Sequence, residues 1–437
     1  FSKSARTFGF INDSFMFNNS ATGSSYLTKG GAINSSAGDY PVAINNTEFY
    51  GNTANQAGAL SLGGASTIAD SYIHDNLANG FWISAVSVGG SLTLSNSTIS
   101  NNQGYCLDVA GSAHIINSTI SGHTDVSTTT DTSGAVVAHG IRVSAGDLTA
   151  LHLYNSTISG NYNGIDTSNK DISFVSARNT LIAGNSNLNC SSGTLGSYGY
   201  NLSDDSSCVL TATGDIENVD AVMGPLQDNG GSTPTYALLP GSPAIDAGNP
   251  ADCIDNNAAV ITQDQRGVSR PVDGDGNGSA ICDIGSYEAP ANNPPTFTAG
   301  TGTISIPEDL PVSSNVILVE ANDIEGDTLS YSITSGNTDD TFAIDSNSGQ
   351  ITLAAALDYE TLTSYTLTLQ VDDGQGNQVT DTLTVNVTDV DETVVTTPTS
   401  GGGGGGCTVG TNNRFDPIFP ALILFALLYL GLRRKNI

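Results

Sequence analysis

The chain has 437 residues, with 12 Lys+Arg against 43 Asp+Glu, a formal net charge of −31, 50 glycines and 38% hydrophobic residues. That length suggests roughly three domains with enough apolar residues for real cores. So few cations exclude a nucleic-acid binder, whose phosphate contacts need clustered Lys and Arg, and the regular spread of apolar residues argues against disorder.

The N-terminal half repeats itself. Seven segments align: Ile11–Asn19, Ile44–Asn52, Ile68–Asn76, Leu94–Asn102, Ile115–His123, Leu153–Asn161 and Ser176–Asn185, with anchor steps of 33, 24, 26, 21, 38 and 24 residues. Steps of this size belong to solenoids, and the two longest imply inserted loops. One column reads Met16, Phe49, Ile73, Ile99, Ile120, Ile158, Ile182 and is apolar throughout, as an inward strand position must be. Two residues on, Asn18, Gly51, Asp75, Asn101, Gly122, Gly160 and Gly184 are types that tolerate positive φ, so each coil should turn there. Three residues before the apolar column, Asp13, Asn46, Asp70, Asn96, Asn117, Asn155 and Asn179 can stack and hydrogen-bond along the axis. These features predict an all-β chain whose residues 1–223 form a right-handed parallel β-helix. A β-propeller is excluded by the period and by the single Trp. The Asn-x-Ser/Thr triplets also fit a glycosylation sequon, but their register explains them better as stacking positions.

Cys190 and Cys208 flank a Gly/Ser-rich loop, and Cys253 and Cys282 an Asp/Asn-rich one. Two loop-closing disulfides fit an exported protein; six free thiols are the alternative. The chain begins at Phe1 without a leader pattern and reads as a fragment whose leader is missing. Within residues 224–290 the repeat stops, and this stretch is expected to cover the end of the stack, since an open strand edge invites association. Its DGDGNG run places Asp273, Asp275 and Asn277 at alternate positions like a calcium loop, yet the twelfth position is Ile284 where a bidentate Glu is needed. A solvated turn and a weak calcium site both remain open.

Residues 291–392 alternate apolar and polar residues over seven short runs separated by Asp/Asn/Gly turns, which describes a Greek-key β-sandwich. Its acidic residues gather at strand ends, among them Glu308, Asp323, Glu325, Glu360, Asp372, Asp389 and Asp391. Residues 393–417 form a Gly-rich flexible linker. The apolar run 418–432 followed by Arg433, Arg434 and Lys435 predicts a single membrane helix with residues 433–437 as a cytoplasmic basic tail, leaving the rest outside the membrane; a buried core helix is the bland alternative.

Three stretches resemble known families. The phrases GPLQDNGGSTPTYALLPGSPAIDAG, DQRGVSRP and CDIGSYE are similar to the closing segment of bacterial choice-of-anchor Q surface proteins, which implies a surface-tethered β-helix. Residues 291–392 resemble a cadherin repeat, through NNPPTF, IPED, ANDIEGD, LDYE, VDDG and DVDE, with Glu325 replacing an Asp and Tyr359 an Arg. The resemblance implies two calcium half-sites: Asp323, Glu325 and Asp372 with Asn292–Asn293 at one pole, and Glu308, Glu360, Asp389 and Asp391 at the other. Calcium takes 6–8 hard oxygen ligands, which such clusters supply. Only one repeat is visible, so a bridging site lacks its second half. The tail is similar to JDVT-CTERM sorting signals of the GlyGly-CTERM group, which implies intramembrane processing with Cys407 as the processing or attachment residue.

The best catalytic cluster is His139, Arg142 and His152 with Asp131 nearby, and a His–Arg pair in an inserted loop is more often structural. The reading is therefore no enzyme and no catalytic residue: a cell-surface protein binding calcium and a glycan or protein ligand, held by a membrane helix, with no nucleic-acid partner. A secreted polysaccharide lyase or hydrolase of the β-helix class is the alternative.

Overall fold

The computed structural model describes residues 9–21, 29–35, 41–78, 84–122, 139–144, 150–167, 175–191, 195–251, 253–255 and 257–391. The chain divides into one compact unit, Phe1–Asp389, and a second, Val390–Ile437. The fold is all-β; among the described residues the helical element is a 3-10 turn, Thr338–Asp340.

The repeats stack as parallel strands in three faces. Ser66–Ala69, Ser91–Ser95, Ser112–Ile116, Ala150–Tyr154 and Val175–Arg178 form the first face, and Tyr72–His74, Thr98–Ser100, Thr119–Ser121, Thr157–Ser159 and Leu181–Ile182 the second. The long strand Val42–Tyr50 pairs with both. A third, seven-stranded face runs from Ile33–Ser35 to Leu188–Cys190. Phe49, Ile73, Ile99, Ile120, Ile158 and Ile182 of the expected inward column are fully buried in one apolar core.

Left-handed residues set the corners. The expected turn column holds φ from 52° at Asp75 and Asn101 to 85° at Gly122. The Asn/Asp column, expected only to stack, is itself left-handed at all seven positions, with φ of 46° to 52°. Asn and Asp tolerate that region because a short polar side chain can bond locally. Stacking accompanies it: the Asn46 amide donates to Asp13 at 2.7 Å, Asn117 to Asn96 at 2.8 Å, and Asn179 to Asn155 at 3.2 Å.

Two further ladders run inside. The Ser residue after each corner accepts the backbone N–H one coil earlier: Thr47 N to Ser71 Oγ, Ser71 N to Ser97 Oγ, Ser97 N to Ser118 Oγ, and Ser118 N to Ser156 Oγ, at 3.0–3.2 Å. Asn52, Asn76 and Asn102 form a buried amide ladder, with Asn52 donating to Asn76 and Asn76 to Asn102. The Ser hydroxyls satisfy corner backbone N–H groups, and the same Asn oxygens also accept the Asn52 and Asn76 backbone N–H.

The closing segment contains the hairpin Met223–Gln227 with Thr235–Leu238. It does not simply cap the last coil, as expected, but lies along the second face. Thr98 donates to Pro234 O at 2.6 Å, Thr119 to Gln265 at 2.7 Å, and Ser286 to Thr157 at 3.1 Å, while Tyr236 OH meets Ser121 at 2.6 Å. The physical reason is the repeat itself. Each Asn-Ser-Thr-Ile-Ser coil points Thr and Ser outward, forming a polar strip that hydroxyl and amide groups can satisfy. Beneath them, Leu181, Leu202, Leu238, Ala244 and Ile284 form an apolar cluster. An ionic group stitches the segment, with Arg270 on Glu288 at 2.8 Å and Arg266 on Asp264 at 2.6 Å.

The sandwich packs a four-stranded sheet, in the order Gly302–Pro307, Gln378–Thr388, Ser364–Asp372, Ser330–Ser335, against a three-stranded sheet of Asn315–Leu318, Gln350–Leu353 and Phe342–Ile344. Thr296–Ala299 pairs with Glu320–Asn322 at the edge. Leu367, Leu369, Val371, Leu383 and Val385, alternating along their strands, are buried between the sheets.

No helix among the described residues is long and apolar enough to cross a membrane. The expected span 418–432, the linker 393–417 with Cys407, and the tail 433–437 lie outside the described residues.

Candidate metal centres

One pole of the sandwich is built by strand ends. Gly302–Pro307 runs parallel to Gln378–Thr388 with Pro307 opposite Thr388, so Glu308 and Asp389 follow their strands side by side. Glu308 N donates to Thr388 O at 3.2 Å and fixes this exit. The turn bearing Glu360 is closed by Asp358 accepting from Thr361 N at 3.0 Å, and Tyr359 N donates to Glu308 Oε2 at 2.8 Å. Glu308, Glu360 and Asp389 thereby bring one carboxylate oxygen each within 4.8 Å of one another. Three carboxylates this close repel unless protonated or bridged by a cation, and they offer the hard oxygens calcium prefers. Asp391, also expected here, is exposed and belongs to the second unit.

The opposite pole forms around the chain entry. Thr296 pairs with Asn322, so Asn292 and Asn293 arrive beside Asp323 and Glu325. Asn293 Nδ2 donates to Glu325 Oε1 at 2.6 Å and Asn292 Nδ2 to Asp373 Oδ2 at 3.2 Å. Asp323 is 8% exposed; its Oδ1 accepts the Glu325 and Asp327 amides, and its Oδ2 is buried with no hydrogen-bond partner. A buried carboxylate oxygen without a donor is costly, and a bound cation removes that cost. Asp327 is held above the ordinary carboxylate range by desolvation and by the charges of Asp323, Asp373 and Glu325. The inward aspartate is Asp373, 1% exposed, rather than the expected Asp372. Asp372 ends its strand and spends its oxygens on Gly374 N and the Gln378 amide. Asp373 stands just past the strand, where its Oδ1 accepts the Gln375 and Asn377 amides, and that turn carries it inward toward Asn292.

In the closing segment, Asp273 and Asp275 lie together with Asp246, one oxygen of each within 4.8 Å. Asn277 donates to Asp275 and accepts from Ser279 N. Sequence reasoning missed Asp246 as a ligand: it stands in the GSPAIDAG phrase, 27 residues before Asp273, and nothing in the phrase itself signals a metal.

Cys190 is bonded to Cys208 and Cys253 to Cys282. Cys106 is a buried thiol donating to Ser121 O, and burial pushes its pKa up.

The cluster weighed for the enzyme alternative is split. His139 and Arg142 share the strand His139–Val143 of the third face, whereas His152 lies in Ala150–Tyr154 of the first, bonded to Ser176 and stacked on His114. Asp131 lies outside the described residues. Around Arg142 the register places Asp108 and Asp166 on the neighbouring coils, with Arg142 at 4.0 Å from Asp108 and His139 at 3.9 Å from Asp166. Burial raises the Asp108 pKa and Arg142 opposes that shift. Alternating charges stacked in register neutralise one another along the sheet.

A cadherin domain model matches residues 302–388. The chain is 34% identical over 113 residues to Cadherin-99C of Drosophila melanogaster, covering 26% of this chain and 7% of that protein. It is 37% identical over 84 residues to Cadherin-related family member 2 of Mus musculus, covering 19% and 6%. The crystal structure of human Protocadherin-24 EC1-2 shares 38% identity over 22% of this chain and 44% of that one, with a TM-score of 0.21. The chain thus spans a small part of the length of these relatives, and the likeness lies in the cadherin domain.

Proposed function

We propose that this chain is a bacterial cell-surface protein in which a parallel β-helix, closed by a choice-of-anchor Q segment, presents a calcium-binding cadherin domain for adhesion or ligand binding. The observation that carries the reading is the convergence of Glu308, Glu360 and Asp389 at one pole of the cadherin domain. The orphaned Asp323 Oδ2 supports a second cation at the other pole, where Asn292, Asn293, Glu325 and Asp373 stand ready with oxygen ligands. The two disulfides fit an exported chain, since cytosolic thiols stay reduced. The working division is coils 1–223, closing segment 224–290, cadherin domain 291–392, Gly-rich linker 393–417, membrane helix 418–432 and basic tail 433–437. In this reading the chain crosses the membrane once with its C-terminus cytoplasmic, and the sorting signal around Cys407 is then processed. The ligand is a glycan or protein of another cell surface.

The test is thermal melting of the protein in calcium and in chelator. Calcium is expected to raise the melting temperature of the cadherin domain, and Glu308→Ala with Glu360→Ala to weaken that rise. Equal melting in both conditions removes calcium from the account. Binding of the protein to whole cells, present in calcium and lost in chelator, tests the adhesive role; calcium-independent binding would refute a cadherin-based contact.

A further inference from the structure

The DGDGNG loop begins like a calcium loop and lacks its last ligand, because Ile284 is buried in the apolar cluster beneath the closing segment. Asp246 takes that place from a distant part of the segment. It sits at φ 50°, and its two oxygens accept Gly274 N, Asp275 N and Ile281 N at 2.8–3.0 Å, which ties it to both ends of the loop. Asp273 Oδ2 accepts Gly278 N at 2.9 Å, whereas Asp273 Oδ1 is shut off from solvent with no hydrogen-bond partner. Among the described residues no Lys, Arg or His forms an ion pair with Asp246, Asp273 or Asp275. A buried, donor-less carboxylate oxygen beside two further carboxylates is the arrangement a divalent cation completes.

This loop also touches the cadherin domain. Asn292 N donates to Asp273 O at 3.3 Å, and Asn292 Nδ2 donates to Asp373 Oδ2 at 3.2 Å. A side chain at Gly276 would strike Asn292 O and the Asn377 amide, so the loop lies directly on the domain's entry and its Asn377 turn. On the far side of that entry lies the second orphan, the 92%-buried Asp323, whose Oδ2 has no partner.

We propose that Asp246, Asp273 and Asp275 bind a calcium ion next to Asn292, and that this ion fastens the closing segment of the coil stack to the cadherin domain. The single cadherin repeat thereby obtains its missing neighbour from a different fold. The fastening role rests on the calcium reading of the cadherin domain; the three carboxylates of the site belong to neither of that domain's poles, and Asn292 stands between the site and the entry pole.

The experiment is isothermal titration of calcium chloride into the full chain, alone and as Asp246→Asn with Asp273→Asn, combined with hydrogen exchange across residues 273–293. The double variant is expected to lose one calcium equivalent while the remaining equivalents bind within twofold of wild type. Calcium should slow exchange at residues 273–293 at least tenfold in wild type and leave the variant unchanged. Asp275→Asn, at an exposed position, is the control against misfolding and should weaken the same equivalent with an unaltered circular dichroism spectrum. Unchanged stoichiometry in both variants overturns the inference while leaving the cadherin sites in place. Absence of any calcium binding to wild type overturns both readings.

Discussion

Asn76 tests whether the buried amide ladder, rather than apolar packing alone, holds the coils. Its side chain makes five hydrogen-bond contacts: the two Nδ2 hydrogens are shared among Phe49 O, His74 O and Asn102 Oδ1 at 2.8–3.0 Å, and Oδ1 accepts Asn52 N and Asn52 Nδ2 at 3.0 and 2.9 Å. Asn76→Ala removes all five and strands the Asn52 N–H, with Asn76 only 2% exposed. Two donated and two accepted bonds at about 1 kcal/mol net each make the loss about 4 kcal/mol. For a unit of this size about 2 °C accompanies each kcal/mol, so the melting temperature should fall by about 8 °C. Asn46→Gly is the matched control: it removes one exposed bond, to Asp13, and Gly accepts the φ of 46° without strain. That change should stay within about 1 kcal/mol. Denaturation of both variants, followed at the far-ultraviolet β signal, decides the matter. Equal, small shifts would refute the ladder and assign coil cohesion to the apolar column.

Asp283 carries a pH dependence. Burial, reinforced by the Glu288 charge and opposed by hydrogen bonds and Arg270, holds its carboxyl well above the ordinary aspartate range. A raised folded pKa means the protonated group favours the fold, so this contribution is complete below the unfolded value and fades as pH rises through the folded one. Urea melts from pH 4 to pH 8 should show Asp283→Asn gaining stability relative to wild type as pH rises, and a constant difference would contradict the assignment. The Cys190–Cys208 bond closes a separation of 18 residues, worth about 3 kcal/mol by loop entropy. Cys190→Ser with Cys208→Ser should lose that amount in urea, with reductant abolishing the difference from wild type. A polysaccharide panel should yield no reducing ends or unsaturated uronates from the wild-type chain; release abolished by His139→Ala would instead establish the lyase or hydrolase alternative.

What was legible in the sequence is what each coil must solve locally. The apolar column and the first left-handed column follow from residue type alone, because an inward strand site needs an apolar side chain and positive φ needs Gly, Asn or Asp. The second corner was legible in residue type but attributed only to stacking, since Asn serves both purposes. The gathering of the Glu308, Glu360 and Asp389 carboxylates was legible because they ride on strand ends and turns whose motif spacing fixes them. Choices made by tertiary contact were not. Asp372 and Asp373 are chemically identical neighbours, and the turn to Asn377 decides which faces Asn292.

The least legible residues are the outward Thr98, Thr119 and Thr157. In a bare solenoid they would be solvated hydroxyls, and nothing near them signals otherwise. Their partners Pro234, Gln265 and Ser286 stand far along the chain, and they leave these threonines at most 1% exposed in Thr98, Thr119 and Thr157 alike. The coils without such a cover carry different outward residues: Phe15 and Phe17, Glu48 and Tyr50, Tyr72 and His74, with Phe15 at 69% exposure. Small hydroxyls, with Leu181 at the end of the same column, sit where the closing segment lies, and aromatic or charged side chains where it does not. The reach of that segment is therefore written in the coils, but only as a contrast between neighbours, which becomes visible once the covering chain is in place.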